Sequence, residues 1–138
     1  MIIVLDTNII LSALIKDSMT RRILIESGWD FYYPALSVEE IKEHRDLVLE
    51  KSGMTKEEFY GLVYALFNCI QIVPQENIKE QLLKAKELIG ERDPDDVVFI
   101  ASALSLNCVI WSDDKDFQEQ KTVRIYTTKE ITRLFLGV

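Results

Sequence analysis

The chain opens with a run of apolar residues, Met1-Ile2-Ile3-Val4-Leu5, that stops abruptly at Asp6-Thr7-Asn8. A short run that is apolar at every position reads as a strand buried on both faces, the usual condition of strands in parallel sheets. In open parallel sheets, ligands bind beyond the carboxyl ends of the strands. A carboxylate projected from that end marks the beginning of an acidic site, and the remaining sequence supplies more acids to the same rim.

Further along, strand-like and helix-like segments alternate. Thr7 or Asn8 is placed to cap a helix carrying Ile9, Ile10, Leu11, Ala13 and Leu14, and a second helix over residues 18–27 stops at Gly28. Phe31-Tyr32-Tyr33 has strand composition and ends at Pro34. Ser37 is placed to cap a helix over residues 37–51, with Glu40 three residues on as in a capping box. Gly53 separates it from a helix over residues 55–67, the two making a helical hairpin.

Ile70-Gln71-Ile72-Val73 reads as a short extended piece ended by Pro74, and a helix over residues 75–89 stops at Gly90. Asp93-Pro94 then opens a helix whose Val97-Val98-Phe99-Ile100-Ala101-Ser102-Ala103-Leu104 is apolar on nearly every side, so deep burial is expected. Cys108-Val109-Ile110-Trp111 and residues 123–126 complete the strands, and Thr127 or Thr128 caps a last helix. This alternation predicts right-handed crossovers and a parallel sheet covered on both faces. With 138 residues, no repeat and no low-complexity segment, a single domain over residues 1–138 is expected.

Apolar residues make up 48% of the chain, yet no apolar run approaches the ~20 residues that span a bilayer. No membrane segment and no signal peptide is predicted, and the expected location is cytoplasmic. Cys69 and Cys108 lack CxxC spacing and a companion histidine cluster, which predicts buried free thiols. The net charge of -7, from 23 acidic and 16 basic residues, argues against a polyanionic partner unless the acids gather around divalent cations.

Carboxylates fall in four places: Asp6; Glu39 and Glu40; Asp93, Asp95 and Asp96; and Asp113, Asp114 and Asp116. At about 100° per residue, Glu40 shares an arc with Leu36, Ile41, Leu47 and Val48 while Glu39 falls opposite, so Glu40 is the inward glutamate. The same count puts Asp93, Asp96 and Ile100 on one face and Asp95 on another. Each acid alone has a structural alternative: Asp93 as an N-cap, Glu40 as half of a capping box, and the last cluster as a solvated charge run. Together, three or four inward carboxylates repel one another unless cations hold them, and oxygen-only ligand sets suit Mg²⁺ or Mn²⁺.

In their order along the chain, Val4-Leu5-Asp6-Thr7-Asn8, Ser37-Val38-Glu39-Glu40-Ile41, Asp93-Pro94-Asp95-Asp96 and Trp111-Ser112-Asp113-Asp114-Lys115-Asp116-Phe117 resemble the PIN domain family. This nuclease fold includes VapC-type toxins and several RNA-processing enzymes, and the resemblance covers essentially the whole chain. By position, the family's four acids match Asp6, Glu40, Asp96 and Asp114, and Asp116 matches an additional acid often present. Thr7, Asn8 and Ser112 match small polar positions that orient the carboxylates or the attacking water, with Asp93 beside them as a supporting acid.

The resemblance implies a three-layer α/β/α fold with a parallel sheet of about five strands, and frequent homodimers. It also implies a metal-dependent endoribonuclease in which Asp6, Asp96 and Asp114 coordinate Mg²⁺ or Mn²⁺ and Glu40 adds a ligand or positions water. The substrate would be RNA, and for a toxin an antitoxin protein would be the partner.

Lys16, Arg21, Arg22 and Lys115 are candidates for substrate contacts by their closeness in sequence to the site. His44 shares the inward arc of Glu40, where a hydrogen-bonded structural role competes with a role toward substrate. Tyr32, Tyr33 and Trp111 have the chemistry to stack on bases, but their apolar setting favours the core. Phe59, Leu62, Val63, Leu66 and Phe67 give the hairpin a spare apolar surface for a second copy or an antitoxin. A non-catalytic RNA-binding module is the competing class of function. A haloacid-dehalogenase-like phosphatase would need an aspartate where Asn8 stands, and a response-regulator receiver would group its acids after the first strand.

Overall fold

The strands β1 (Ile2–Leu5), β2 (Asp30–Pro34), β3 (Ile70–Val73), β4 (Val109–Trp111) and β5 (Ile125–Tyr126) form a five-stranded sheet in the order β3-β2-β1-β4-β5. Every pairing is parallel, in a computed structural model that describes residues 1–90 and 94–138. Ile3 lies in register with Phe31 on one side and Val109 on the other, so β1 is central, and Ile3, Val4 and Leu5 are wholly buried. Its uninterrupted apolar run reflects this position.

Two helices, α1 (Thr7–Ile15) and α2 (Met19–Glu26), join β1 to β2. A 3-10 turn (Ala35–Ser37) and the helices α3 (Val38–Glu43), α4 (Arg45–Ser52) and α5 (Lys56–Phe67) join β2 to β3. The return to β4 runs through α6 (Gln75–Ile89) and α7 (Pro94–Leu106), which pack closely on each other, and α8 (Thr128–Leu136) follows β5. Because the first two crossovers step one way along the sheet and the third steps back, right-handed connections put α6 and α7 on the opposite face, giving three layers. The reversal falls between β1 and β4, so the switch point of the sheet lies where Asp6 and Ser112 leave their strands.

Two helix starts carry complete capping boxes, Thr55 with Glu58 and Thr127 with Glu130. The box expected at Ser37 and Glu40 does not form. Ser37 sits in the 3-10 turn at φ −103° and ψ −1°, and its side chain caps nothing. Instead its carbonyl accepts a 2.8 Å hydrogen bond from the Tyr33 hydroxyl. The single helix expected over residues 37–51 is also two, broken at His44, whose Nδ1 lies 2.7 Å from the Glu40 carbonyl. A carbonyl only accepts, so Nδ1 carries the proton and the ring closes the end of α3.

This break shifts the helical phase of α4, where Leu47 is exposed and Val48 buried, and Leu36, on the same expected arc, falls in the 3-10 turn ahead of α3 and is exposed too. The hairpin is looser than expected as well, since α4 and α5 both pack on α1. In the crossover from β1 to β2, Asp6 rather than Thr7 or Asn8 takes the cap position of α1.

Aromatic rings fill the space beneath the site. Phe31 meets Trp111, and Tyr33 meets both Phe67 and Phe99, with centroids 6.1–6.2 Å apart. Each such side chain adds roughly 1.5–3 kcal/mol of burial. Tyr33 and Trp111 are fully buried, so they belong to the core and do not stack on bases. Both cysteines are free and half-buried, and burial pushes the Cys108 thiol up to about 11.

Candidate active site

All five strands end on one rim, and the acids gather there. Asp6 continues β1, its amide donating to the Trp111 carbonyl at 3.1 Å, so the ladder between β1 and β4 holds its backbone. Its side chain is 7% exposed, and Oδ2 accepts a 2.7 Å hydrogen bond from the Ser112 hydroxyl. The fully buried Ser112 oxygen in turn accepts from the Asp114 amide at 3.0 Å. One hydroxyl thus latches the acid leaving β1 to the acid following β4.

Asp114 accepts from the Asp116 amide at 2.9 Å, which curls the chain into a short 3-10 turn (Lys115–Glu119). Carboxylate oxygens of Asp96, Asp114 and Asp116 consequently lie within 4.8 Å of one another. Asp96 reaches this group from the first turn of α7, where the helix N-terminus offsets part of the negative charge. Asp116 therefore stands as near to Asp96 and Asp114 as a coordinating residue would, a place the sequence offered first to Asp6. Asp93 lies outside the described residues.

On the other flank, Glu40 is half-buried and its Oε1 is buried without a hydrogen-bond partner among the described residues. Burial raises its pKa first of all; the Thr7 hydroxyl opposes this, and the charges of Asp95, Asp6 and Glu43 add to it. Asp6 is raised likewise, by burial and by Asp114, against the pull of the Ser112 hydroxyl and the Asn8 amide. No ion pair among the described residues engages Asp6, Glu40 or Asp114.

A buried carboxylate oxygen without a partner, beside several crowded acids, is a donor set suited to a hard divalent cation. A cleft of about 350 Å³ on the side of Asp6 and Asp114 is lined by Asp6, Asn8, Ser12, Thr20, Asp113, Asp114 and Thr128.

A family model for the PIN domain matches residues 4–134. The chain belongs to the PIN domain family. Among solved structures, it is similar to a chain of VapBC2 from Rickettsia felis bound to a DNA fragment from their promoter, with a TM-score of 0.65 and 16% identity. That similarity covers 92% of this chain and 98% of the other, and at this identity it speaks for the fold. No curated protein sequence matches the chain.

Two acids of this PIN domain behave differently from the expectation. Asp113 turns to α8, where its carboxylate accepts from the Thr128 amide at 2.7 Å and the Thr128 hydroxyl at 2.6 Å. Asp95, assigned by helical phase to another face, stands close enough to Glu40 and Tyr33 to raise both. Phase counting describes the flank of a helix; α7 meets the rim end-on, so adjacent first-turn residues can both face it. Of the basic candidates, Arg21 donates to the Ala13 and Leu14 carbonyls, and Arg22 pairs with Glu26 and covers Phe135. Lys16 and Lys115 remain exposed.

Proposed function

We propose that this PIN domain is a Mg²⁺- or Mn²⁺-dependent endoribonuclease acting as the toxin of a toxin–antitoxin pair. The observation that carries the reading is the convergence of Asp6, Glu40, Asp96 and Asp114 at the switch point, with the Glu40 Oε1 buried and open. Asp6, Asp96 and Asp114 would hold the ion, with Asp116 in reach of Asp96 and Asp114, and Glu40 would orient the attacking water. When bound, the cation offsets phosphate charge and lowers the pKa of water.

The residues do the remaining work. Ser112 fixes the spacing between Asp6 and Asp114, the first turn of α7 brings Asp96 to the same rim, and Asn8 lines the cleft. Lys16 and Lys115, both exposed, would be the groups to contact flanking phosphates.

A partner fits an apolar groove of about 440 Å³ between α3, α5 and β3, lined by residues including Val38, Ile41, Val63, Tyr64, Phe67 and Ile72. Leu66, expected on the same surface, is consumed by the core, while Phe59 is buried but still lines the groove. The similarity to a VapBC2 chain supports an antitoxin as one occupant, and a second copy of the chain is the other. No described helix is long and apolar enough to cross a membrane.

The deciding test is cleavage of a labelled single-stranded RNA and its DNA counterpart with Mg²⁺, Mn²⁺ or EDTA, with Asp6→Asn in parallel. RNA cleavage that needs the metal and disappears in Asp6→Asn is expected. Absence of both cleavage and metal binding would overturn the reading in favour of a binding module.

A further inference from the structure

Residues 113–123, which carry two of the rim acids from β4 toward β5, make no backbone–backbone hydrogen bond to another element among the described residues. Side chains hold the segment instead. At its near end the Asp114 amide donates to Ser112 and the Asp116 amide to Asp114. At its far end stands Gln120, a polar residue only 7% exposed.

Gln120 Nε2 donates to the Phe117 carbonyl at 3.0 Å and to the Val123 carbonyl at 2.8 Å, and Oε1 accepts from the Val123 amide at 2.8 Å. Both hydrogens of the side-chain amide are therefore used. These partners also fix its orientation, because a flipped amide would set its oxygen against two carbonyls. An apolar side chain of similar length would fill the space without the cost of burying an amide; what the amide adds is a fixed place for the Phe117 carbonyl.

The two ends of this brace belong to different parts of the fold. Val123 leads into β5, which is held to β4 by the Ile110 amide on the Arg124 carbonyl and the Ser112 amide on the Tyr126 carbonyl, both at 3.0 Å. Phe117 is buried and meets Phe99 edge-on, with centroids 6.3 Å apart. Phe99 lies one turn beyond Asp96 on α7, and Phe117 directly follows Asp116. This ring contact thus sets the helix bearing one acid against the turn bearing another.

We infer that Gln120 is a positioning residue: by tying the Phe117 carbonyl to Val123 and so to β5, it holds the 3-10 turn against α7 and keeps Asp116 beside Asp96 and Asp114, whose carboxylate oxygens lie within 4.8 Å of one another. Its consequence for an ion rests on the metal site proposed above; the brace itself does not. Gln120 touches neither acid and acts only through the turn.

The test compares wild type, Gln120→Met, Asp116→Asn and the double variant. In metal-free protein, Gln120→Met is expected to speed hydrogen exchange of the Asp116 amide about tenfold while the β1 amides keep their protection. By calorimetry with Mn²⁺ alone, it is expected to weaken binding about tenfold and to add nothing once Asp116 is asparagine. Gln120→Glu keeps the acceptor for the Val123 amide and withdraws the donated hydrogens, so it should free Asp116 while Val123 stays protected; it serves where Gln120→Met does not fold.

A brace that only closes its own loop would expose Val123 in Gln120→Met and leave Asp116 as protected as before, and that result overturns the inference. So does a loss of Mn²⁺ affinity that is equal with and without the Asp116 carboxylate. If the wild type binds no Mn²⁺, the metal reading fails separately, and exchange at Asp116 still decides the role of Gln120.

Discussion

At the scale of single residues, the site is held together at a cost to the fold. Burial raises both Asp6 and Glu40, so the folded protein favours their neutral forms. The sign follows: a carboxyl whose folded pKa lies above its unfolded value weakens the fold at neutral pH, and the penalty fades as pH falls through the raised pKa. With EDTA present, Asp6→Asn is therefore expected to melt a few degrees above the wild type at pH 7, with the gap closing toward pH 4, whereas with Mn²⁺ in place of EDTA its cleavage is expected to fall at least about a hundredfold. Melting curves at three pH values check this.

Ser112→Ala should act in the opposite direction, costing about 1–3 kcal/mol in urea unfolding because it strips a buried carboxylate of its hydroxyl donor. The burial that sets Asp6 also silences Cys108: in a Cys69→Ala variant, its thiol, pushed up to about 11, should react only slowly with a disulfide reagent at pH 8 and promptly in urea.

At the scale of elements, the sequence was legible where one physical cause dominated. The apolar run of β1, the proline and glycine bounding α6, and the threonine caps of α5 and α8 each state a local preference that the fold obeys. Legibility failed where distant partners decided. Nothing local to Ser37 announces that the Tyr33 hydroxyl takes its carbonyl, nor that His44 closes α3, and from these two contacts follow the lost capping box and the shifted helical phase. Asp95 and Asp113 escaped for a related reason, since their roles depend on which ends of α7 and α8 abut the rim.

Gly90 offers a test at this level. At φ +71° and ψ −159° it occupies a region open only to glycine, so Gly90→Ala should cost about 1–3 kcal/mol in unfolding free energy. It also stands shortly before α7, and a displaced Asp96 would show as weaker Mn²⁺ binding by calorimetry.

At the scale of the whole molecule, a net charge of -7 concentrated partly at one rim makes the protein its own electrostatic opponent. A cation that binds only the folded form stabilises by mass action, by roughly 2.7 kcal/mol at a hundredfold excess over Kd. Mn²⁺ or Mg²⁺ should accordingly raise the melting temperature of the wild type and have little effect on Asp6→Asn, a comparison that needs no substrate.

The latch from Ser112 to Asp6 spans 106 positions of sequence. During synthesis, Asp6 leaves the ribosome long before its partner is made, and β1 waits for β4 to occupy its second side. A growing or truncated chain that stops short of Ser112 holds at most three of the four acid motifs, and never an assembled site. On the proposed reading of RNA as the substrate, the order of the strands would work as a timer that withholds activity from the message and the machinery still producing the chain.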